Sequence, residues 1–242
     1  MLKIITSRPV SAKKNMDRDA DLLSQLDQHS DPILHFYEWE SPSITYGYFI
    51  LPSKIFNYEG LAKHNIDIAR RPTGGGVVFH IWDLAFSFLM PRTHPFFSLN
   101  TLENYAFVNK IVLKAIKQML HKTKITLTLE DAQVDLSLQK HFCMARPTKY
   151  DVIFQGKKVA GAAQRKTKLG YLHQGTISLA MPNEKIVNDV LLNEEIYNAM
   201  LANTYAPLKA DVSLKELNEL REDMKKNLTH FFKQELQGAL SV

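Results

Sequence analysis

Three consecutive glycines, Gly74-Gly75-Gly76, stand between Arg70-Arg71-Pro72-Thr73 and Val77-Val78-Phe79-His80. Glycine loses more backbone entropy on folding than any other residue and offers no side chain to pack. A run of them between apolar segments therefore marks backbone that takes φ > 0 or lies close against another group. Such a loop can turn its N–H groups onto an anion, with the two arginines ahead of it as charge-assisted donors. A flexible turn with two solvated arginines is the competing reading. No Gly-Lys-Ser/Thr follows, so this is not a Walker loop, and GxGxxG spacing ahead of a helix is not met.

Around this loop the pattern mixes strands and helices. Residues 16–29 carry Met16, Leu22, Leu23 and Leu26 at helical spacing behind a cap at Asn15. Residues 33–39 and 43–49, separated by Ser41-Pro42, read as paired strands. A short helix ending at His64 precedes a strand at 67–71. Strands at 77–79 and 84–90 flank a turn at Trp82-Asp83. Residues 101–121 form the clearest helix, with Leu102, Tyr105, Val108, Val112 and Ile116 on one face. Further strands are expected at 125–129, 150–155, 158–162 and 175–179, with Gln155-Gly156 as a hairpin turn. The last fifty residues read as helices, ending in a charged amphipathic segment at 214–232. The expectation is an α+β fold with a mixed, mostly antiparallel sheet flanked by helices. No Pro/Gly/Ser linker divides the chain, so residues 1–242 are read as one domain.

Composition narrows the setting. The 242 residues are 45% hydrophobic and 23% charged, ordinary globular usage. Thirty Lys and Arg against 25 Asp and Glu give a formal charge of +5, which favours acidic partners without choosing between protein and nucleic acid. A single cysteine cannot form an intramolecular disulfide, and no Cys/His cluster has zinc spacing, which points to a reducing compartment. No apolar run is long enough to span a membrane, and the N-terminus lacks a signal peptide's pattern. A cytoplasmic location is expected.

A second stretch joins a lysine pair to small residues: Lys157-Lys158-Val159-Ala160-Gly161-Ala162-Ala163-Gln164-Arg165. Small residues let a ligand approach the backbone, and a lysine beside an apolar strand can be desolvated into a point charge or acid/base. A surface hairpin lysine is the plainer alternative. Cys143, the lone thiol, has Lys140, His141, Arg146 and Lys149 nearby in sequence; cations would favour a thiolate, while a small buried hydrophobe is the commoner fate. His80, His94 and His173 have no metal-ligand spacing. Trp39 and Trp82 read as core packing, and the charges of 215–226 as a solvated helix face.

Taken in order, these segments resemble the lipoate-protein ligase A and octanoyltransferase branch of the biotin and lipoate ligase superfamily. Four carry the resemblance: Asn15-Met16-Asp17 with Asp19; Tyr46-Gly47-Tyr48-Phe49; the run from Arg70 to His80; and Lys158 to Arg165 followed by His173-Gln174-Gly175-Thr176. The resemblance implies a biotin/lipoate ligase-like catalytic domain in which the glycine loop and the following strands wrap an octanoyl or lipoyl chain. Lys158 would contact the activated carbonyl. Arg70, Arg71, Thr73, Gly74, Gly75, Gly76, His80, Asp151, Gly161, Ala162, Ala163, Gln174 and Gly175 would bind substrate. The acyl group would pass to a lysine of a lipoyl domain of a 2-oxoacid dehydrogenase or of the glycine-cleavage H protein.

Two branches of the resemblance differ in chemistry. Transferases take octanoyl from acyl carrier protein, some through a cysteine thioester, and need no cofactor. Ligases activate free lipoate with ATP and Mg²⁺. The segment Cys143-Met144-Ala145-Arg146-Pro147-Thr148-Lys149-Tyr150-Asp151 resembles that of the cysteine-dependent transferases, which makes Cys143 the expected nucleophile. The chain also reads as lacking the accessory domain of many ligases. Against this, Gly74-Gly75-Gly76 is the ligase form, and Ile81 follows His80 where both branches commonly place Asp. Nucleic-acid binding is not expected: no helix-turn-helix precedes the block and the charge surplus is small.

Overall fold

The computed structural model describes residues 1–121, 124–129, 148–193 and 195–238. Cys143 lies outside the described residues. The chain runs β1 (Lys3–Thr6), α1 (Ala12–Ser24), β2 (Ile33–Phe36), β3 (Ser43–Tyr46), α2 (Tyr58–Lys63), β4 (Asp67–Arg70), β5 (Val77–Phe79) and β6 (Asp83–Pro91). It continues through α3 (Thr101–Leu120), β7 (Thr126–Leu127), β8 (Val152–Phe154), β9 (Lys157–Lys166), β10 (Gly170–Ser178), α4 (Glu184–Val190), α5 (Glu195–Asn203) and α6 (Leu214–Gln237). A seven-stranded sheet has the order β1-β2-β6-β10-β9-β8-β7, and a three-stranded sheet the order β4-β3-β5. In the large sheet only β1 with β2 is parallel; in the small one, only β3 with β4. The expected α+β class and mixed, mostly antiparallel sheet are what the structure has.

Residues 33–39 and 43–49 do not pair. β2 lies in the large sheet and β3 in the small one. All four positions of β2 are buried, because it sits between β1 and β6 with both faces covered. Turn chemistry at Ser41-Pro42 therefore marks a crossing between sheets, not a hairpin. The same holds at Trp82-Asp83, where β5 ends in the small sheet and β6 begins in the large one. Helix α1 starts earlier than expected: Ser11 caps it by accepting from the Lys14 N–H, and Asn15 is buried, its Nδ2 donating to the Glu38 carbonyl at 2.9 Å.

Strands β6 and β10 are buried along their whole lengths, which is why β6 reads as an apolar run; β10 carries polar residues, and the strand expected at 175–179 covers only its end. Alternation assigns their faces. Phe86, Phe88 and Met90, with Tyr171 and Ile177, join the main core, where Phe232 of α6 stacks on Phe88 at 4.7 Å. Ala85 and Leu89, with Leu172, face the α1 side, next to Met16 and Leu23. Gln174 and Thr176 share that second face by strand periodicity. Their partners across the sheet are Ser87 and Ala85 on β6, and Ala163 and Gly161 on β9. The face between the large sheet, α1 and the small sheet is thus the one that carries small and polar side chains.

Candidate active site

A pocket opens on this face. It is lined by Met16 of α1, Tyr37 just after β2, Thr45 and Val78 of the small sheet, Arg71 and His80 at the ends of β4 and β5, and Gly161, Ala162, Ala163, Gln174, Gly175 and Thr176 of the large sheet. Most of its surface is apolar, the lining expected for an acyl chain or similar ligand.

At one edge lies Lys158, 3% exposed, with its Nζ 2.7 Å from Asp151 Oδ2. A strand irregularity aims it there. Pairing steps from Val152–Ala160 to Ile153–Lys158, leaving Val159 as the extra residue of a bulge. Lys158 and Gly161, three residues apart, would face opposite sides of an unbroken strand; the bulge brings them together. A Cβ on Gly161 would fall 2.1 Å from Lys158 Cε. Asp151 is fully buried and accepts from Tyr105 OH (2.5 Å), Thr148 N (2.7 Å) and Thr148 Oγ1 (2.9 Å). Tyr150, at φ 68°, makes the tight turn that delivers it. Burial, then the Asp151 charge, holds the Tyr105 phenol well above its ordinary range, so it stays a neutral donor.

Under the pocket floor a second buried carboxylate gathers a network. Asp19 accepts from Gln174 Nε2 (2.8 Å), Ser87 Oγ (2.8 Å) and the Tyr37 hydroxyl, and lies 2.9 Å from His35 Nδ1. Gln174 then accepts from Thr73 Oγ1 at 2.7 Å, tying the glycine loop to the sheet. Burial and Asp19 raise the Tyr37 phenol well above its ordinary range.

A third chain braces the loop from behind. Asp83 Oδ2 lies 2.9 Å from His80 Nδ1 and accepts from Thr176 Oγ1. His80 Nε2 meets Thr45 Oγ1 at 2.7 Å, and Thr45 Oγ1 accepts from Arg71 Nη1 at 2.8 Å. Arg71 Nη2 donates to the carbonyls of Gly76 (2.6 Å) and Gly74 (3.2 Å). His80 thus has a carboxylate partner three residues on, in Asp83. Ile81 instead turns its carbonyl to Arg221 of α6, whose Nη2 and Nε donate to Ile81 O (2.8 Å) and Asp83 O (2.9 Å).

The structure therefore gathers Lys158, Asp151, Gly161, Ala162, Ala163, Thr73, Gln174, Gly175, His80 and Arg71 around one pocket. Arg71 is buried within the loop's own hydrogen bonds. Arg70 is exposed, its guanidinium 5.9 Å from the Tyr46 and Tyr48 ring centres. Gly75 takes φ 85°, and Gly47 packs so close that a Cβ on it would fall 1.9 Å from Gly75 O. Sequence reasoning missed Asp83, Tyr105, Tyr37 and His35 as parts of the site. The first two lay in an apparent turn and on an apparent core face. His173, beside Gln174, is fully buried on the other side of the sheet against Phe86, and burial lowers its pKa to about 3. Among the described residues, no three His, Cys, Asp or Glu side chains group closely enough to hold a metal ion.

The family model of the lipoyl protein ligase A/B catalytic domain matches residues 11–227. The chain belongs to that family. It is 30% identical over 190 residues to the octanoyltransferase LipM of Lysinibacillus sphaericus, spanning 76% of this chain and 68% of that protein. Against the octanoyltransferase LipM of Bacillus subtilis it is 27% identical over 225 residues, spanning 92% and 80%. A crystal structure of lipoate-protein ligase A bound with ATP superposes with a TM-score of 0.70 at 20% identity, over 96% of this chain and 85% of that one. The bi-partite lipoate protein ligase of Thermoplasma acidophilum gives 0.67 at 20% identity, over 96% and 83%. These two establish the lipoyl ligase fold for the chain. No helix among the described residues is long and apolar enough to cross a membrane.

Proposed function

We propose that this member of the lipoyl protein ligase A/B family is an octanoyltransferase of protein lipoylation. It moves the octanoyl group of octanoyl-acyl carrier protein to a lysine ε-amine on a lipoyl domain or on the glycine-cleavage H protein. The observation that carries this reading is the Lys158 ammonium, buried beside Asp151 and fitted against Gly161 at the edge of an apolar pocket. Kinship with the LipM octanoyltransferases supports it.

Cys143 is the nucleophile of this scheme. Its thiolate attacks the donor's thioester carbonyl, the tetrahedral oxyanion collapses, and the carrier's thiolate leaves, so that the acyl group stays on the enzyme as a new thioester. The acceptor lysine then attacks as the neutral amine. An amide forms, the Cys143 thiolate leaves, and the amine's proton passes to solvent or to that thiolate. Lys158 donates to the carbonyl oxygen as negative charge builds on it, where a preplaced cation in a dry site stabilises the transition state most. Both steps exchange one activated acyl bond for another product bond, so the transferase needs no ATP or metal.

Intact mass after mixing the protein with octanoyl-acyl carrier protein, without acceptor or ATP, tests this. A gain of one octanoyl group that Cys143→Ala abolishes is the expected result. No gain, together with pyrophosphate release from lipoate and ATP, would replace the reading with an ATP-dependent lipoate-protein ligase.

A further inference from the structure

The loop after β3 holds three large apolar side chains at the surface within four residues. Tyr48 is 51%, Phe49 88% and Leu51 56% exposed. The backbone beneath them is fixed. Tyr48 N donates to Thr73 O at 2.9 Å, Ile50 N to Gly47 O at 3.0 Å, and the Ile50 side chain is buried. Gly47 lies against Gly75, and Arg70 covers the Tyr48 ring. The patch therefore sits on an ordered loop packed against the glycine loop, whose flanking residues Arg71, Val78 and His80 line the pocket. Ordered apolar groups kept in water at this density mark an interaction site.

The rim is cationic. Arg70 stands over the patch, Arg165 reaches the Pro72 carbonyl (3.4 Å), and Lys54 follows Leu51 in the next turn, with its N–H on Leu51 O. Such a rim attracts an acidic partner and speeds its encounter. Reach selects which one. A lysine amine stands only a side chain's length from its own backbone, so the domain bearing it must press directly on the pocket mouth. A donor thioester carried on a long prosthetic arm places no such demand.

We infer that Tyr48, Phe49 and Leu51, with their basic rim, form the docking surface for the acyl acceptor, an acidic protein domain presenting the target lysine. The inference rests on the proposed transferase reading. Its test is steady-state kinetics with an apo-lipoyl domain as acceptor and octanoyl-acyl carrier protein as donor, for wild type and Phe49→Ser. Phe49 is almost wholly exposed, so its removal leaves the fold intact. The expected result is a rise of about tenfold in KM for the acceptor, with kcat and the donor KM within twofold. Lys54→Glu combined with Arg165→Glu should lower kcat/KM for the acceptor and flatten its dependence on ionic strength. An unchanged acceptor KM in Phe49→Ser, or an equal rise for donor and acceptor, would overturn the docking surface while transfer itself persists. Absence of transfer by wild type would remove the enzymatic reading and this surface with it.

Discussion

Gly161 and Lys158 occupy one space: the methyl group that alanine would add at 161 falls 2.1 Å from Lys158 Cε and 2.5 Å from its Nζ. The small residue is thus what lets the cation lie flat beside Asp151 at the pocket edge.

Gly161→Ala should displace the ammonium without unfolding the protein, because a lysine tail can move where backbone cannot. A shift of about 1 Å in a positioned group costs on the order of a hundredfold in rate. We expect kcat/KM for transfer to fall by about that factor, with the melting temperature nearly unchanged. Comparison of kinetics and melts decides it; equal activity in the two proteins would detach Lys158 from the reaction.

Asp151→Ala acts on the same pair from the other side, with the opposite balance between stability and rate. It leaves the Lys158 charge buried without its carboxylate, together with the Tyr105 hydroxyl and the Thr148 N–H. Breaking a buried ion pair in this way costs about 3–5 kcal/mol. A denaturant titration should show a loss of that order. Lys158→Arg should be as inactive as Lys158→Ala, since a planar guanidinium does not fit the space that Gly161 leaves.

Much of this arrangement was legible beforehand, for identifiable reasons. The glycine run, the small residues after Lys158 and the apolar run of β6 are local signals, and each led to the element it marks, whereas the polar first half of β10 was not expected as strand. The pairing of strands was not local. β2 and β3 looked like a hairpin because both are apolar and a proline separates them, yet burial on both faces placed β2 inside the large sheet. The bulge at Val159 leaves no pattern in sequence, although it is what turns Lys158 toward Gly161. Asp83 hid for a third reason: a carboxylate at the start of a buried strand looks like turn punctuation until His80 and Thr176 are seen to converge on it.

That convergence gives a prediction of its own. Asp83→Ala leaves His80 Nδ1 and Thr176 Oγ1 without their common acceptor inside the protein, and an unsatisfied buried polar group costs about 1–3 kcal/mol. Through Thr45 and Arg71 the disturbance reaches the carbonyls of Gly74 and Gly76. We expect lower stability and a higher KM for the acyl donor. Asp83→Asn, which keeps one oxygen acceptor, should recover part of both. If Asp83→Ala matches wild type in KM, the chain of bonds does not set the loop.

His173 sets an acid limit on the fold. Burial lowers its pKa from 6.5 to about 3, so the native ring stays neutral while the unfolded ring takes up a proton below pH 6.5. Between those two values the unfolded state holds more protons, and stability rises with pH. The contribution is therefore complete above about pH 6.5 and shrinks as the pH falls toward 3, by on the order of 4 kcal/mol across the interval. His173→Phe keeps a ring against Phe86 and removes the titration. Urea unfolding at pH 4, 5, 6 and 7 should show a steeper loss of stability on acidification in wild type than in His173→Phe. Parallel curves for the two proteins would mean that His173 is protonated equally in the folded and unfolded states, and would assign the acid sensitivity to other groups.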